Sequence, residues 1–240
     1  MKIKTFILII LVALISLSAD AGVYEFKKLS RQLGYPNSTY FGASEEEIQD
    51  LETYTSKEDT FYQEINSYLR YFPNEYEWNG IGPADAKMMV KNIDHIFARV
   101  PSLPQDLILF RGVDLKFRKN ISYKVGEEFI EKGYVSTSTS FNVAEYFARE
   151  MEDVPSSSRK AIFTFYLNAP SLKGLLIDET EAEVLLKHGT KIKVMSLKNK
   201  NIPYDFYLAQ ICVKVCNQKL DTKALEIWKK LFHGRVALRD

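Results

Sequence analysis

The stretch Val100-Pro101-Ser102-Leu103-Pro104-Gln105-Asp106-Leu107-Ile108-Leu109-Phe110 divides the chain into two kinds of sequence. Upstream of it the apolar residues recur at helical spacing. Ala86, Met89, Val90, Ile93, Phe97 and Val100 form one stripe, which Pro101 and Pro104 stop. Further back, Phe61, Ile65, Tyr68, Leu69 and Phe72 trace a second amphipathic helix, and Asn74 to Pro83, with Gly80 and Gly82, reads as loop. Ser44 followed by Glu47 is a capping box, opening a helix that carries Ile48, Leu51 and Tyr54 inward. Downstream, Leu107 to Phe110 and Ala161 to Phe165 are apolar runs of strand length. Ile192 and Val194 alternate with Lys191 and Lys193, and Tyr207, Ala209, Ile211, Val213 and Val215 alternate again. A last helix starts near Asp221 and carries Leu225, Trp228 and Leu231. Helices first and strands afterwards predict an α+β fold in one domain.

The composition suits such a domain. The chain has 240 residues, of which 46% are hydrophobic and 26% charged, with a net charge of +1. A protein this long buries enough surface to need neither a structural metal nor disulfides. Its near-neutrality gives no bulk attraction for nucleic acid. Cys212 and Cys216 lie four residues apart on an expected strand, about 13 Å at strand rise, too far for a disulfide with each other.

The first 21 residues are of different material. Lys2 and Lys4 precede an apolar run from Phe6 to Leu17, and Ala19-Asp20-Ala21 follows. The run is too short for a stable membrane span, which needs about 20 apolar residues, and matches a cleaved secretory signal. The expected organisation is therefore a signal peptide over 1–21 and one domain over 22–240. Its helical part covers about 23–100 and its β-rich part about 105–240. The expected location is extracellular.

Several chemistries lack their residues. There is no Cys-x-x-Cys or His-Glu-x-x-His, and His95, His188 and His233 have no ligand spacing, so no metal site is expected. Gly-x-Gly-x-x-Gly, the P-loop and Gly-x-Ser-x-Gly are absent as well.

What remains are polar residues at places where the pattern expects buried strands. Arg111 ends the apolar strand Leu107 to Phe110 and precedes Gly112; its guanidinium offers five fixed donors to a phosphate or carboxylate. Gly133-Tyr134-Val135-Ser136-Thr137-Ser138 puts hydroxyls directly after an apolar step. Glu179, Glu181 and Glu183 recur at every second position before Val184-Leu185-Leu186. In an extended chain these carboxylates share one face, about 7 Å apart, an arrangement that is useful where positive charge develops between them.

Together these three elements resemble the bacterial mono-ADP-ribosyltransferase toxins of the arginine, Ser-Thr-Ser, Glu-x-Glu class. Upstream, Tyr54-Thr55 and Ile65-Asn66-x-Tyr68-Leu69-Arg70 are similar to the helical pair before the sheet in clostridial Rho-modifying exoenzymes and actin-modifying binary toxins. The resemblance implies N-terminal helices packed on a mixed, mainly antiparallel two-sheet β core. It implies NAD as a consumed co-substrate rather than a resident cofactor, with ADP-ribose moved to a host protein side chain. Glu at the first Glu-x-Glu position, Glu181, implies arginine as that side chain.

The same resemblance assigns roles. Glu183 would stabilise the oxocarbenium ion, Glu181 would hold the incoming nucleophile, and Ser136 would orient Glu183. Arg111 would bind a phosphate or ribose of NAD, joined by Asn66 and Arg70 at the pyrophosphate. Gly112, Thr137, Ser138 and Phe141 complete the implied NAD-binding set, and Tyr146 and Phe147 belong to the segment that packs on phosphate and nicotinamide. The register Glu181/Glu183 is preferred over Glu179/Glu181 because Val184-Leu185-Leu186 directly follows. A secreted NAD glycohydrolase and a catalytically silent binding domain are the alternative functions. The chain has no room for delivery machinery, so a separate delivery subunit is a conceivable partner.

Overall fold

The computed structural model describes residues 21–35, 40–56, 60–73, 80–105, 107–114, 123–149, 160–167, 169–198 and 204–212, together with residue 226. The signal segment before residue 21, Val213, Val215, Cys216 and the helix expected near Asp221 lie outside them.

Helix α1 covers 21–33, and α2 (Glu45–Thr55), α3 (Phe61–Tyr71) and α4 (Pro83–Arg99) follow. The capping box forms as the sequence predicts: Ser44 Oγ accepts the Glu47 N–H, and the Glu47 carboxylate accepts the Ser44 N–H at 2.8 Å. Glu47 is nonetheless buried, because Arg99 Nη2 donates to it at 2.5 Å and His95 Nδ1 lies at 3.2 Å. A single capping carboxylate thus pins α4 to α2. Two details depart from expectation. Phe72 is the C-cap of α3 and 47% exposed, so it does not extend the apolar face. Pro83 opens α4 instead of closing the loop, because a proline loses nothing at a position whose N–H has no helical partner.

The strands are β1 (Ile108–Asp114), β2 (Glu128–Glu131), β3 (Val135–Ser138), β4 (Lys160–Leu167), β5 (Gly174–Leu176), β6 (Glu183–Leu186), β7 (Thr190–Lys198) and β8 (Tyr204–Cys212). Their order is β2-β7-β8-β4-β1-β3-β6-β5, antiparallel throughout except for the parallel pair β4–β8. Five strands on one side and three on the other meet at β1–β3, where the register consists of the pair Phe110↔Ser138. This gives the expected α+β architecture, with two sheet halves joined at a narrow seam.

Alternation along β1 sorts the layers. Leu109 and Val113 belong to one buried cluster with Leu51, Ile65, Ile93 and Phe97 of α2–α4. Phe110 and Gly112 point the other way, toward α5 (Phe141–Arg149). Tyr134 is fully buried at the centre, stacked on Phe97 at 5.8 Å and edge-on to Tyr54 at 5.2 Å. The strand that carries the hydroxyls is therefore anchored directly to the helical layer.

Candidate active site

Strand β1 runs past the expected end, so Arg111 sits in mid-strand opposite Phe163 rather than at a strand terminus. Strand alternation puts it on the face of Leu109 and Val113, the side of the helical layer. Its Nη1 donates to the Ser136 carbonyl at 3.1 Å, across the junction between the sheet halves. Ser136 is the exposed residue of an otherwise buried β3, and its Oγ donates to Glu183 Oε1 at 2.6 Å. Arg111, Ser136 and Glu183, which come from three different strands, thus form one connected set.

The glutamates do not lie on an extended strand, which corrects the reading of their two-residue spacing. Glu183 opens β6, but Glu179 to Ala182 form a turn. The Asp178 carboxylate accepts both the Thr180 N–H and its hydroxyl at 2.7 Å, and the Glu183 N–H donates to the Asp178 carbonyl at 2.8 Å. Ala182, fully buried, takes φ +48, a left-handed conformation that costs a non-glycine residue about 1–2 kcal/mol. Its surroundings hold it there: Thr139 N–H donates to the Ala182 carbonyl, and Ser138 Oγ donates to the Glu181 carbonyl at 2.7 Å. Glu179 pairs with Lys27 of α1 at 2.8 Å, whereas Glu183 pairs with Ser136. That difference favours the Glu181/Glu183 register.

Other expected residues are placed close by but turned to packing. Asn66 is buried; its Nδ2 donates to the Tyr54 hydroxyl at 3.0 Å, and its Oδ1 accepts the Tyr134 N–H at 2.8 Å. Its oxygen and one N–H are thus engaged, and through Tyr134 it positions the approach to β3. A Cβ on Gly112 would lie 2.0 Å from the Ala144 carbonyl oxygen, so this glycine lets α5 approach β1 and faces away from Arg111. Thr137 and Ser138 are buried, with Thr137 Oγ1 donating to the Val184 carbonyl at 2.5 Å. Phe141 is 7% exposed and meets Phe110 edge-on at 5.5 Å, as core. The side chains of Thr137, Ser138 and Phe141 are thus turned into packing, and Gly112 makes room for α5.

Arg70 is partly exposed, and its Nε donates to the buried Glu131 carboxylate at 2.9 Å. Glu131 is a residue the sequence did not single out; a lone acid ending a short strand carries no signal. Tyr54 reports how the charges converge. Burial, the largest cause, pushes its phenol well above the ordinary tyrosine range and the Asn66 hydrogen bond opposes this; the charges of Arg111, Glu183 and Arg70 act on the same ring. Tyr54 is thus a buried phenol, hydrogen-bonded to Asn66, that feels the charges of two arginines and a carboxylate. The arrangement can hold an anion on the arginine side and stabilise a cation on the glutamate side. Among the described residues no cluster of three or more His, Cys, Asp or Glu is arranged to hold a metal.

Comparison with known proteins fits this geometry. The Vis protein of Vibrio splendidus (strain 12B01), whose name reads "putative NAD(+)–arginine ADP-ribosyltransferase", is 24% identical over 139 residues, 57% of this chain and 54% of Vis. The aligned part thus spans about half the length of that relative. A crystal structure of Vis with an inhibitor superposes with a TM-score of 0.62 at 18% identity, covering 83% of this chain and 88% of Vis. The structure of an ADP-ribosyltransferase from Clostridium botulinum gives a TM-score of 0.57 at 23% identity, covering 79% of this chain and 96% of that one. The family model described as ADP-ribosyltransferase exoenzyme matches residues 21–215, and this chain belongs to that family.

Proposed function

We propose that the protein cleaves NAD and transfers its ADP-ribose to an arginine of a host protein, with transfer to water as a slower side reaction. The observation that carries the reading is the 2.6 Å hydrogen bond from Ser136 to Glu183, with Arg111 held on the backbone of the same serine. Breaking the N-glycosidic bond sends its electron pair to nicotinamide and leaves an oxocarbenium ion on the ribose, as in glycoside hydrolysis. Glu183, ionised and oriented by Ser136, stabilises that cation. Arg111, with Arg70, holds the pyrophosphate or the adjoining ribose. A guanidinium nitrogen then attacks the anomeric carbon and loses its proton toward Glu181. The name of Vis and its crystal structure with agmatine support arginine as acceptor, as does Glu181 at the first acidic position.

NAD is a consumed substrate in this scheme, and no resident cofactor takes part. Export through a signal peptide cleaved before Gly22, action in or on a host cell, and delivery by a separate subunit belong to the same proposal. The positive, apolar and small-residue regions of 1–21 support the export. Among the described residues no helix is long and apolar enough to cross a membrane. The test is incubation of the purified protein with labelled NAD, with and without agmatine or host-cell lysate. Label on agmatine and on a protein band is expected. Free ADP-ribose alone would make the protein a glycohydrolase, and intact NAD a silent binding domain; identification of the labelled protein names the target.

A further inference from the structure

Beside the turn that carries Glu181 lies an open cleft of about 320 Å3, of whose lining the chemistry above uses Glu181 and none of the other residues. Val143, Tyr146 and Phe147 of α5 form one wall, Thr180 and Glu181 another, and Val23 of α1 a third. Tyr146 and Phe147 are 55% and 41% exposed and meet edge-on at 5.8 Å. Two adjacent aromatic rings exposed on a nine-residue helix contribute little to the core, whose α5 contacts are made by Phe141, Ala144 and Ala148.

The third wall is fixed at both ends. Thr139 Oγ1 donates to the Gly22 carbonyl at 2.7 Å, and Gly22 packs so tightly that a Cβ there would lie 2.4 Å from Ser140 Cβ. One turn further on, Lys27 pairs with Glu179. Helix α1 thus bridges the segment after β3 and the turn before β6, the two segments that flank the cleft. The result is a slot with an aromatic and aliphatic side, polar groups from Ser140, Asn142 and Thr180, and a carboxylate residue at its margin.

We infer that this slot receives the acceptor arginine, an inference that rests on the proposed arginine transfer and adds the residues that recognise the substrate. An arginine side chain is complementary along its length. Its methylene stem suits Val23 and Val143, its planar guanidinium stacks on aromatic faces, and its charge is matched by Glu181. A lysine ammonium is strongly hydrated and lacks the planar face that an aromatic ring receives. The partner is therefore a protein that presents an arginine side chain outward, with room at its base for the aromatic rims. Tyr146 and Phe147 thus serve the acceptor instead of the phosphate and nicotinamide to which the resemblance assigned their segment, and with Val23 they determine acceptor binding and take no part in breaking the glycosidic bond.

The test compares two reactions of the full chain, hydrolysis of NAD without acceptor and ADP-ribosylation of agmatine. The double variant Tyr146→Ala/Phe147→Ala is expected to lose at least tenfold more kcat/KM for agmatine than it loses in hydrolysis, mainly through KM. Val23→Lys, which puts a cation beside Glu181, is expected to show the same bias, and Tyr146→Trp to retain agmatine transfer. Equal losses in both reactions, or unchanged agmatine kinetics in the variants, would overturn the slot while leaving arginine transfer intact. Failure of the wild type to modify agmatine while it hydrolyses NAD would instead overturn the arginine reading, and the slot with it.

Discussion

Ser136 Oγ lies 2.6 Å from Glu183 Oε1, and the same serine's carbonyl receives the Arg111 guanidinium at 3.1 Å. One residue therefore fixes the carboxylate through its side chain and the arginine through its backbone. Substituting it separates these functions. Ser136→Ala keeps the carbonyl and removes the hydroxyl, so NAD binding is expected to hold while kcat falls. A hydrogen bond to a charged group contributes about 1.5–3 kcal/mol, roughly 10–100-fold in rate. Steady-state NAD hydrolysis reads the split directly, and a loss confined to KM would remove Ser136 from the orienting role.

The two carboxylates are expected to differ. Glu183→Gln keeps the shape and loses the charge, so hydrolysis and transfer should both fall by ~10²–10³-fold, as on removal of one electrostatic stabiliser. Glu181→Gln should abolish transfer to agmatine while much of the hydrolysis survives, because water needs no guanidinium seat. Measuring both reactions in both variants gives a two-by-two comparison. Identical losses in the two variants would contradict the division of roles.

Arg111→Lys keeps a positive charge in mid-strand but loses the planar fork that reaches the Ser136 carbonyl and that the proposed NAD site needs for an anion. The expected outcome is a dissociation constant for NAD raised by roughly tenfold, about 1.4 kcal/mol, with little change in folding stability. Calorimetric titration with NAD and chemical denaturation check the two halves of that statement.

Gly112 makes a purely structural prediction. Gly112→Ala drives a methyl group into the Ala144 carbonyl and the Ala148 nitrogen, both backbone atoms that cannot rotate away. Overpacking of this kind costs about 1–3 kcal/mol, and the upper end is expected. A stability change near zero in urea unfolding would show that α5 does not press on β1 as described.

Glu47 sets an acid limit. The Ser44 N–H, the largest cause, holds its carboxyl below the ordinary value of 4.5; burial opposes this, and Arg99 and His95 add to the lowering. A depressed folded pKa contributes stability that is complete above the unfolded value and disappears as pH falls through the folded one. Glu47→Gln should therefore be less stable than wild type at pH 7, by about 1 kcal/mol. The gap should close progressively below about pH 4.5. A gap independent of pH would mean that the charge of Glu47 contributes nothing.

The helices and strand β7 were legible because their signals are local. The Ser44/Glu47 box, the stripe ending at Pro101 and the alternation of Ile192 and Val194 are each readable within a dozen residues, and each appears in the fold. The set proposed for catalysis stood out for a different reason: Arg111, Ser136 and Glu183 are polar where the pattern expects burial. What could not be read is which polar residues face the seam. Asn66, Gly112, Thr137 and Ser138 sit close in sequence to exposed site residues, and strand alternation with long-range hydrogen bonds decides their direction. The two-residue spacing of the glutamates was misleading about geometry, because the turn at Ala182 depends on Thr139 and Ser138, some 40 residues away.

The narrow seam at Phe110↔Ser138 has a thermodynamic consequence. A ligand gripped by Arg111 on one sheet half and by Glu183 on the other is a cross-brace at the least reinforced line of the fold. Such a ligand binds only when both halves are docked, so part of its binding energy goes into suppressing their separation. Saturating NAD should slow amide exchange on β3 and β6 together with β1, while β7 and β8, far from the line, change less.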